Sequence, residues 1–362
     1  MSNVYRPTYA HINLENLLHN FNYVQEIIGN KTIIPVIKAD AYGHGAIKVM
    51  DYLYEQGVRI FAVSLLEEAI ELRKVRKDIE LIMMGPILSH QFEIAQNYDV
   101  EITLYHIHII EDLLSSNYHL KVHLKIDTGM HRYGLIDEQK IIHMIEKLQQ
   151  HDTIFLKGIY THFATANEDE TYYHMQLSKF KHIYDQIMIK PPMIHLSNSS
   201  SSIKYEKDIN FTTHVRLGIS LYGLSLDTPK PLLKPVMSLI SHIVDIKILN
   251  KGDKVGYGAT YEAHGDEKIA IIPIGYADGW LRSNKNGRVE INQKIYQIVG
   301  IICMDAIFVK VDDDVKISDQ VILFGGLITT DEVAKQQKTI VYEVCTNISN
   351  RVPRIYIKGE QT

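Results

Sequence analysis

The segment Ile33-Ile34-Pro35-Val36-Ile37-Lys38-Ala39-Asp40-Ala41-Tyr42-Gly43-His44-Gly45 runs from apolar residues into a lysine and then at once into a polar turn punctuated by glycine. Ile33, Ile34, Val36 and Ile37 read as a buried strand. Lys38 therefore stands at a strand end, where a barrel or an open α/β sheet carries its working groups. An ammonium buried there without a partner is costly, whereas partial desolvation lowers its pKa and makes the amine competent to form a Schiff base. A lysine that snorkels along the strand end, its charge in water, accounts for the same residue without chemistry. Tyr42, four residues on, adds a hydroxyl near the same mouth.

Outward from this segment, short β-rich apolar runs alternate with longer amphipathic stretches, the pattern of a parallel sheet built from βα units. Strands are expected at 33–38, 59–64, 80–84, 100–103, 120–126, 154–161, 192–196 and 214–217. Helices are expected at 44–56, 66–75, 137–149 and 169–188, the first stopped by Gly57 as a C-cap. Eight strands with intervening helices argue for an α/β fold of the (β/α)8 barrel kind rather than an open sheet.

After Pro231 and Pro235 the rhythm changes to β-rich runs separated by turns such as Asn286-Gly287. The expected organisation is a barrel over 1–234 and a mainly β domain over 235–362, with the extreme N-terminus, up to about residue 10, free to pack with the β domain.

At 362 residues, 46% hydrophobic, 22% charged and with a net charge of −5, the chain has an ordinary globular composition. Nothing is basic enough to suggest nucleic acid. Cys303 and Cys345 have no CxxC spacing and no histidine-rich company, so neither a metal site nor a disulfide framework is expected. The N-terminus lacks an apolar signal core and no eighteen-residue apolar window follows, so the expectation is a cytoplasmic protein without a membrane span.

Reactive groups of a (β/α)8 barrel gather at the carboxyl ends of its strands. Lys38 follows the first expected strand, Arg132 lies in the turn after the fifth, and His162 follows the sixth. Asn198 and Ser199 follow the seventh, and Gly218 and Ile219 the eighth. Hydroxyls and free N–H groups after strands seven and eight form the usual phosphate pocket of such barrels. A phosphate-bearing cofactor opposite a lysine suggests pyridoxal 5′-phosphate.

Val36 to Gly45 resembles the lysine-bearing signature of bacterial alanine racemases. Lys125-Ile126-Asp127-Thr128-Gly129-Met130-His131-Arg132-Tyr133-Gly134 is similar to that family's KxDTGMxRxG segment, with Tyr133 where leucine is usual. Thr161-His162-Phe163-Ala164-Thr165-Ala166, the run from His195 to Ser199, and Arg216-Leu217-Gly218-Ile219-Ser220-Leu221-Tyr222-Gly223 continue the match in order. So do Val255-Gly256-Tyr257-Gly258-Ala259-Thr260-Tyr261, Gly275-Tyr276-Ala277-Asp278-Gly279, Cys303-Met304-Asp305 and Arg351-Val352-Pro353-Arg354. The resemblance covers essentially the whole chain.

The resemblance implies that Lys38 holds pyridoxal phosphate as a Schiff base and, once released, acts as one base. Tyr257 is implied as the second, contributed by the partner in a head-to-tail homodimer with shared sites. A phenol with a pKa near about 10 needs its anion stabilised to serve so. The family places the equivalents of His162 and Arg216 behind this tyrosine. Arg216 is also implied at the pyridine nitrogen, where a guanidinium cannot accept a proton and so weakens the electron sink. Arg132 is implied to bind the substrate carboxylate. Lys125 matches a position often carbamylated, and an ordinary lysine paired with Asp127 is the alternative. Tyr42, Asn198, Ser199, Gly218, Ile219 and Asn350 are implied around the cofactor, with Tyr276 and Met304 lining the substrate entrance or, for Met304, simply packing.

Asn350 stands where some relatives have tyrosine, which suggests alanine as main substrate with a side activity on serine. D-alanine for peptidoglycan is what the family implies. The rival readings are a serine or broad-specificity racemase on the same scaffold, a pyridoxal-dependent decarboxylase, and a non-catalytic carrier of the cofactor.

Overall fold

The computed structural model describes residues 5–227 and 231–358. The chain divides into two compact units, one made of Leu18–Ala41 with Ala46–Leu233, the other of the N-terminal residues to Leu17, Tyr42–Gly45 and the chain from Lys234 onward.

After β1 (Tyr9–Asn13), the first unit holds eight strands: β2 (Thr32–Pro35), β3 (Ile60–Val63), β4 (Glu80–Met83), β5 (Glu101–Leu104), β6 (Leu120–Lys125), β7 (Ile154–Tyr160), β8 (Met193–His195) and β9 (His214–Leu217). All pair in parallel in the order β2-β9-β8-β7-β6-β5-β4-β3. A bridge between Val36 and Ala62, with Ile37 N–H donating to the Ala62 carbonyl at 2.9 Å, brings the two ends of the row together. The sheet is thus a (β/α)8 barrel, and each expected strand has its counterpart. Its strands are buried on both faces, as Ile60–Val63 shows along its whole length. That explains why they read as continuous apolar runs rather than alternating ones.

The expected helices lie at Ala46–Glu55, Leu66–Val75, Glu138–Gln149 and Glu170–Gln186. Asp137 and Asp169 cap the last two, accepting from Lys140 N at 2.9 Å and Tyr172 N at 3.0 Å.

The second unit is mainly β. Its strands are β10 (Met237–His242), β11 (Asp245–Leu249), β12 (Lys254–Val255), β13 (Tyr261–Glu262), β14 (Glu267–Ile272), β15 (Arg288–Ile291), β16 (Lys294–Val299), β17 (Ile307–Val311), β18 (Gln320–Phe324) and β19 (Arg354–Ile357). Nine strands of this unit form one sheet, in which β1 pairs antiparallel with β10 and parallel with β19. The apolar stretch from Ile240 to Leu249 belongs to two strands, because the chain breaks pairing at Ile243-Val244 and passes to a different neighbour. Two short helices, Thr330–Gln337 and Val341–Thr346, have no expected counterpart. Among the described residues no helix is long and apolar enough to cross a membrane.

Candidate active site

The apolar strand before Lys38 ends at Pro35, and Lys38 itself opens a five-residue turn, Lys38–Tyr42. That turn is left-handed: Ala39, Asp40, Ala41 and Tyr42 have φ between 51 and 55°. Each such non-glycine residue costs about 1–2 kcal/mol, so outside anchors must hold it. Glu68 Oε1 accepts from Ala39 N at 2.6 Å, Ala41 N donates to Ile37 O at 2.9 Å, and Asp40 Oδ1 accepts from Ala46 N at 2.7 Å. The strain fixes the backbone beside the lysine in one conformation. Lys38 is half-buried, and its pKa is lowered by desolvation and by Arg132, against an opposing pull from Glu68.

Arg216, on β9, is 3% exposed. Its guanidinium donates to Thr161 O at 2.7 Å, Leu196 O at 2.9 Å, the His195 carbonyl, and His195 Nδ1 at 2.9 Å, with His162 Nδ1 at 3.4 Å. Among the described residues no carboxylate hydrogen-bonds it. Burial pulls Arg216 down to about 10, which leaves it charged at neutral pH. His162 lies well below the usual imidazole range through burial and through Arg216, Arg132, Lys125 and Lys38.

Lys125, at the end of β6, is 4% exposed and pulled down to about 7 by burial and by the charges of Arg132, Arg216 and Lys38. The Asp127 charge pulls the other way, although among the described residues no hydrogen bond joins the two side chains. The Lys125 ammonium lies 5.5 Å from the Tyr133 ring centre and 5.6 Å from that of Tyr160. The Asp127 carboxylate is occupied by Gly129 N at 2.9 Å and His131 N at 3.1 Å, which shapes the loop that carries the exposed Arg132. From Glu170–Gln186, Gln176 ties this loop to the next, donating to Thr128 Oγ1 and His162 O, each at 3.2 Å, and accepting from Ala164 N at 2.8 Å.

Past β8, Asn198 caps the short helix Ser199–Lys204 and donates to Phe163 O at 3.3 Å. Ser199 Oγ accepts from Gly218 N at 3.0 Å and Ser220 N at 3.3 Å, leaving its own proton to give. Ile219 N–H opens a 3₁₀ turn and has no acceptor within it, while Ser220 Oγ is buried without a partner among the described residues. These donors, in the same unit as Lys38, Lys125, Arg132 and Arg216, fit a phosphate group and a second anion.

In the other unit, Tyr42 is buried against Tyr342, ring centres 6.1 Å apart, and burial and that neighbour push its hydroxyl pKa up. Gly43 has φ +83°, and a Cβ there would meet the Cys345 carbonyl at 2.4 Å, so only glycine fits. Tyr257 begins a short turn between Gly256 and Gly258 and is 73% exposed. Tyr276 and Met304 are also exposed, on loops joined by Tyr276 N to Cys303 O and Ala277 N to Met304 O, both 3.1 Å. Asn350 is exposed beside Arg351, which bonds Asp305 at 2.6 Å.

Sequence reasoning missed Glu68, Gln176, Tyr160, His123 and His195 as contributors. A signal existed for one: in Val122-His123-Leu124-Lys125-Ile126-Asp127 the polar residues alternate, as side chains turned to one face of a strand do.

The chain matches the alanine racemase N-terminal domain over residues 12–226 and the alanine racemase C-terminal domain over 236–356. It is 37% identical to an alanine racemase of Anoxybacillus flavithermus, the alignment covering 98% of this chain and 96% of that one. Among solved structures it is similar to the alanine racemase of Clostridium difficile 630, at TM-score 0.93 and 36% identity over 98% of this chain and 97% of that one. A histidine racemase from Leuconostoc mesenteroides is similar too, at TM-score 0.90 and 27% identity over 98% and 99%. This chain belongs to the alanine racemase family.

Proposed function

We propose that this protein interconverts L- and D-alanine with pyridoxal 5′-phosphate, as a cytoplasmic homodimer whose D-alanine serves peptidoglycan synthesis. One observation carries the reading: Lys38, Lys125, Arg132 and Arg216 gather at the barrel mouth, where burial and then the neighbouring cations lower the pKa values of the two lysines. Such a mouth is built for a ligand with two anionic groups, a phosphate and a carboxylate.

Lys38 would hold the cofactor covalently. Tyr42, Ser199 and the backbone N–H groups of Gly218 and Ile219 would hold its phosphate, with Asn198 and Asn350 nearby, and Arg216 would donate to its pyridine nitrogen. When bound, the cofactor supplies an aldehyde for amine condensation and a conjugated ring that takes up the electron pair left at the substrate Cα. Arg216 has only N–H groups to offer, so it would donate to that nitrogen without protonating it. Arg132 binds the substrate carboxylate with its planar fork. Lys38, its amine less basic than an ordinary lysine, exchanges the Cα proton on one face. Tyr257 of a second copy does so on the other, with His162 and Arg216 disposed behind it. Tyr276 and Met304 of that copy line the entrance.

Lys125 is read as a site of carbamylation: its neutral amine, half populated near pH 7, adds carbon dioxide with loss of one proton, and the resulting anion supports Arg132. Asn350 leaves room and a donor and acceptor for a β-hydroxyl, so serine is the expected side substrate.

A panel of amino acids with chiral product analysis in heavy water tests the reading. Inversion with deuterium at Cα of alanine supports it. Carbon dioxide release, or no exchange from protein whose borohydride-sensitive absorbance shows bound cofactor, overturns it.

A further inference from the structure

A row of hydrogen bonds leads away from Arg216 through the barrel interior. Arg216 donates to His195 Nδ1 at 2.9 Å, His195 Nε2 meets His123 Nδ1 at 3.0 Å, and His123 Nε2 meets Glu101 Oε2 at 2.8 Å. The Lys157 ammonium bonds the other Glu101 oxygen and also Glu80 at 2.9 Å. His195, His123 and Glu101 are each at most 1% exposed, so no water is at hand to replace a lost partner. The site is built to hold this row. Between β6 and β7 the pairing passes from Val122↔Leu156 to His123↔Gly158, so Lys157 is the bulged residue and is aimed out of the ladder at Glu101. A Cβ on Gly158 would stand 2.3 Å from His123 Nδ1, which reserves that position for the imidazole. The Tyr160 ring stacks on His195, centres 4.7 Å apart and planes 12° from parallel.

The protons in this row are determined by its ends. A guanidinium can only donate, so His195 Nδ1 must accept and His195 must carry its proton on Nε2. His123 Nδ1 then accepts, and His123 carries its proton on Nε2, facing a carboxylate that can only accept. A protonated His123 would need His195 Nε2 as acceptor, forcing a proton onto His195 Nδ1 against Arg216. Both imidazoles are therefore neutral Nε2–H tautomers. Burial and the Arg216 charge hold His195 well below the usual imidazole range. At the far end burial opposes ionisation of Glu101, but bonds from His123 and Lys157 keep its carboxyl below the usual value.

We infer that Glu101 and His123 are positioning residues for Arg216: the buried carboxylate sets the direction of every hydrogen bond in the row and thereby holds the guanidinium in place at the barrel mouth. The kinetic consequence rests on the role proposed above for Arg216, whereas the tautomers do not.

Glu101→Gln distinguishes this from plain packing, because glutamine has one oxygen. Lys157, a donor only, claims that oxygen and turns the amide N–H₂ toward His123 Nε2. His123 and His195 must then both shift to Nδ1–H, setting an N–H against Arg216. In ¹⁵N-resolved NMR of the purified holoenzyme, the native protein is expected to show unprotonated Nδ1 and protonated Nε2 at both histidines, and Glu101→Gln the reverse. The variant should lose about tenfold or more in kcat for alanine with KM little changed, the size expected of one buried bond turned repulsive. Adding Lys157→Met frees the glutamine oxygen for His123 and should restore the native tautomers and most of kcat. A proton on His195 Nδ1 in the native protein overturns the inference, as does a double variant no better than the single one. Should Glu101→Gln fail to fold, the native tautomers alone decide. A native protein that racemises nothing counts against the proposed function and leaves the tautomer result to stand or fall by its own spectra.

Discussion

Glu68 Oε1 accepts the amide proton of Ala39, the residue directly after Lys38, at 2.6 Å, while its Oε2 accepts from Ser64 N at 2.8 Å and Leu65 N at 3.0 Å. One carboxylate thus fastens the left-handed turn and the start of Leu66–Val75 together. Its charge also raises the Lys38 pKa against burial and Arg132. Glu68→Ala is expected to cost about 2–4 kcal/mol in denaturant unfolding, the sum of a lost cap and an unpaired amide. Glu68→Gln cannot serve both sides with one oxygen, and it lowers the Lys38 pKa further. The pH profile for chemical modification of Lys38 in the cofactor-free protein should move to lower pH. A profile that stays in place contradicts the coupling.

Lys125 gives a pH dependence with a definite sign. Its folded value of about 7 lies below the ordinary lysine value near about 10.4, so between the two the unfolded chain binds more protons. Its burial penalty is complete below the folded value and vanishes above the unfolded one, and this contribution makes native stability rise with pH in between. In bicarbonate-free buffer, Lys125→Met should therefore raise Tm near pH 6 and lose that advantage by about pH 10. Bicarbonate near pH 8 should stabilise the native protein and not the variant.

Tyr257 is 73% exposed in the chain, far more than an acid–base residue in a finished site would be. Lys38→Ala and Tyr257→Phe should each reduce racemisation by about 10²–10⁴-fold, the usual range for one acid–base group. Mixed after dissociation and reassembly, the two inactive chains should regain part of the activity through hybrid sites. No recovery after subunit exchange has been verified by mass contradicts shared sites.

Asn350 neighbours Arg351, which is tied to Asp305 next to Met304. Asn350→Tyr should lower kcat/KM for serine relative to alanine, by about tenfold for one lost hydrogen bond. An unchanged ratio in a chiral assay would remove Asn350 from specificity.

Much of this protein is legible in its sequence because the relevant physics is local. Strands buried on both faces are mostly apolar, so the spacing of apolar runs from Ile33 to Leu217 indicated eight strands and hence a barrel. Motif order along the chain singled out Lys38, Arg132, His162, Arg216 and Tyr257 as candidates, since each sits in a turn or at a strand end whose local sequence is distinctive. Strand pairing was not legible in that way: no local pattern announces that Tyr9–Asn13 joins the sheet of the C-terminal unit, because its partners lie more than two hundred residues away.

Three features were decided by the tertiary structure. The left-handed turn after Lys38 runs against the intrinsic preference of Ala, Asp and Tyr and exists because Glu68, Asp40 and Ile37 hold it. The low pKa of Lys125 arises from burial, and then from cations brought beside it by other strands and loops, neither of which a segment possesses alone. The row from Arg216 to Glu101 depends on a one-residue bulge and a glycine that make space for His123 across a strand pair. Sequence determined which groups this protein has and the barrel that carries them. The direction of each hydrogen bond and the charge each group bears were decided by which neighbours the folded chain packs against it in the absence of water.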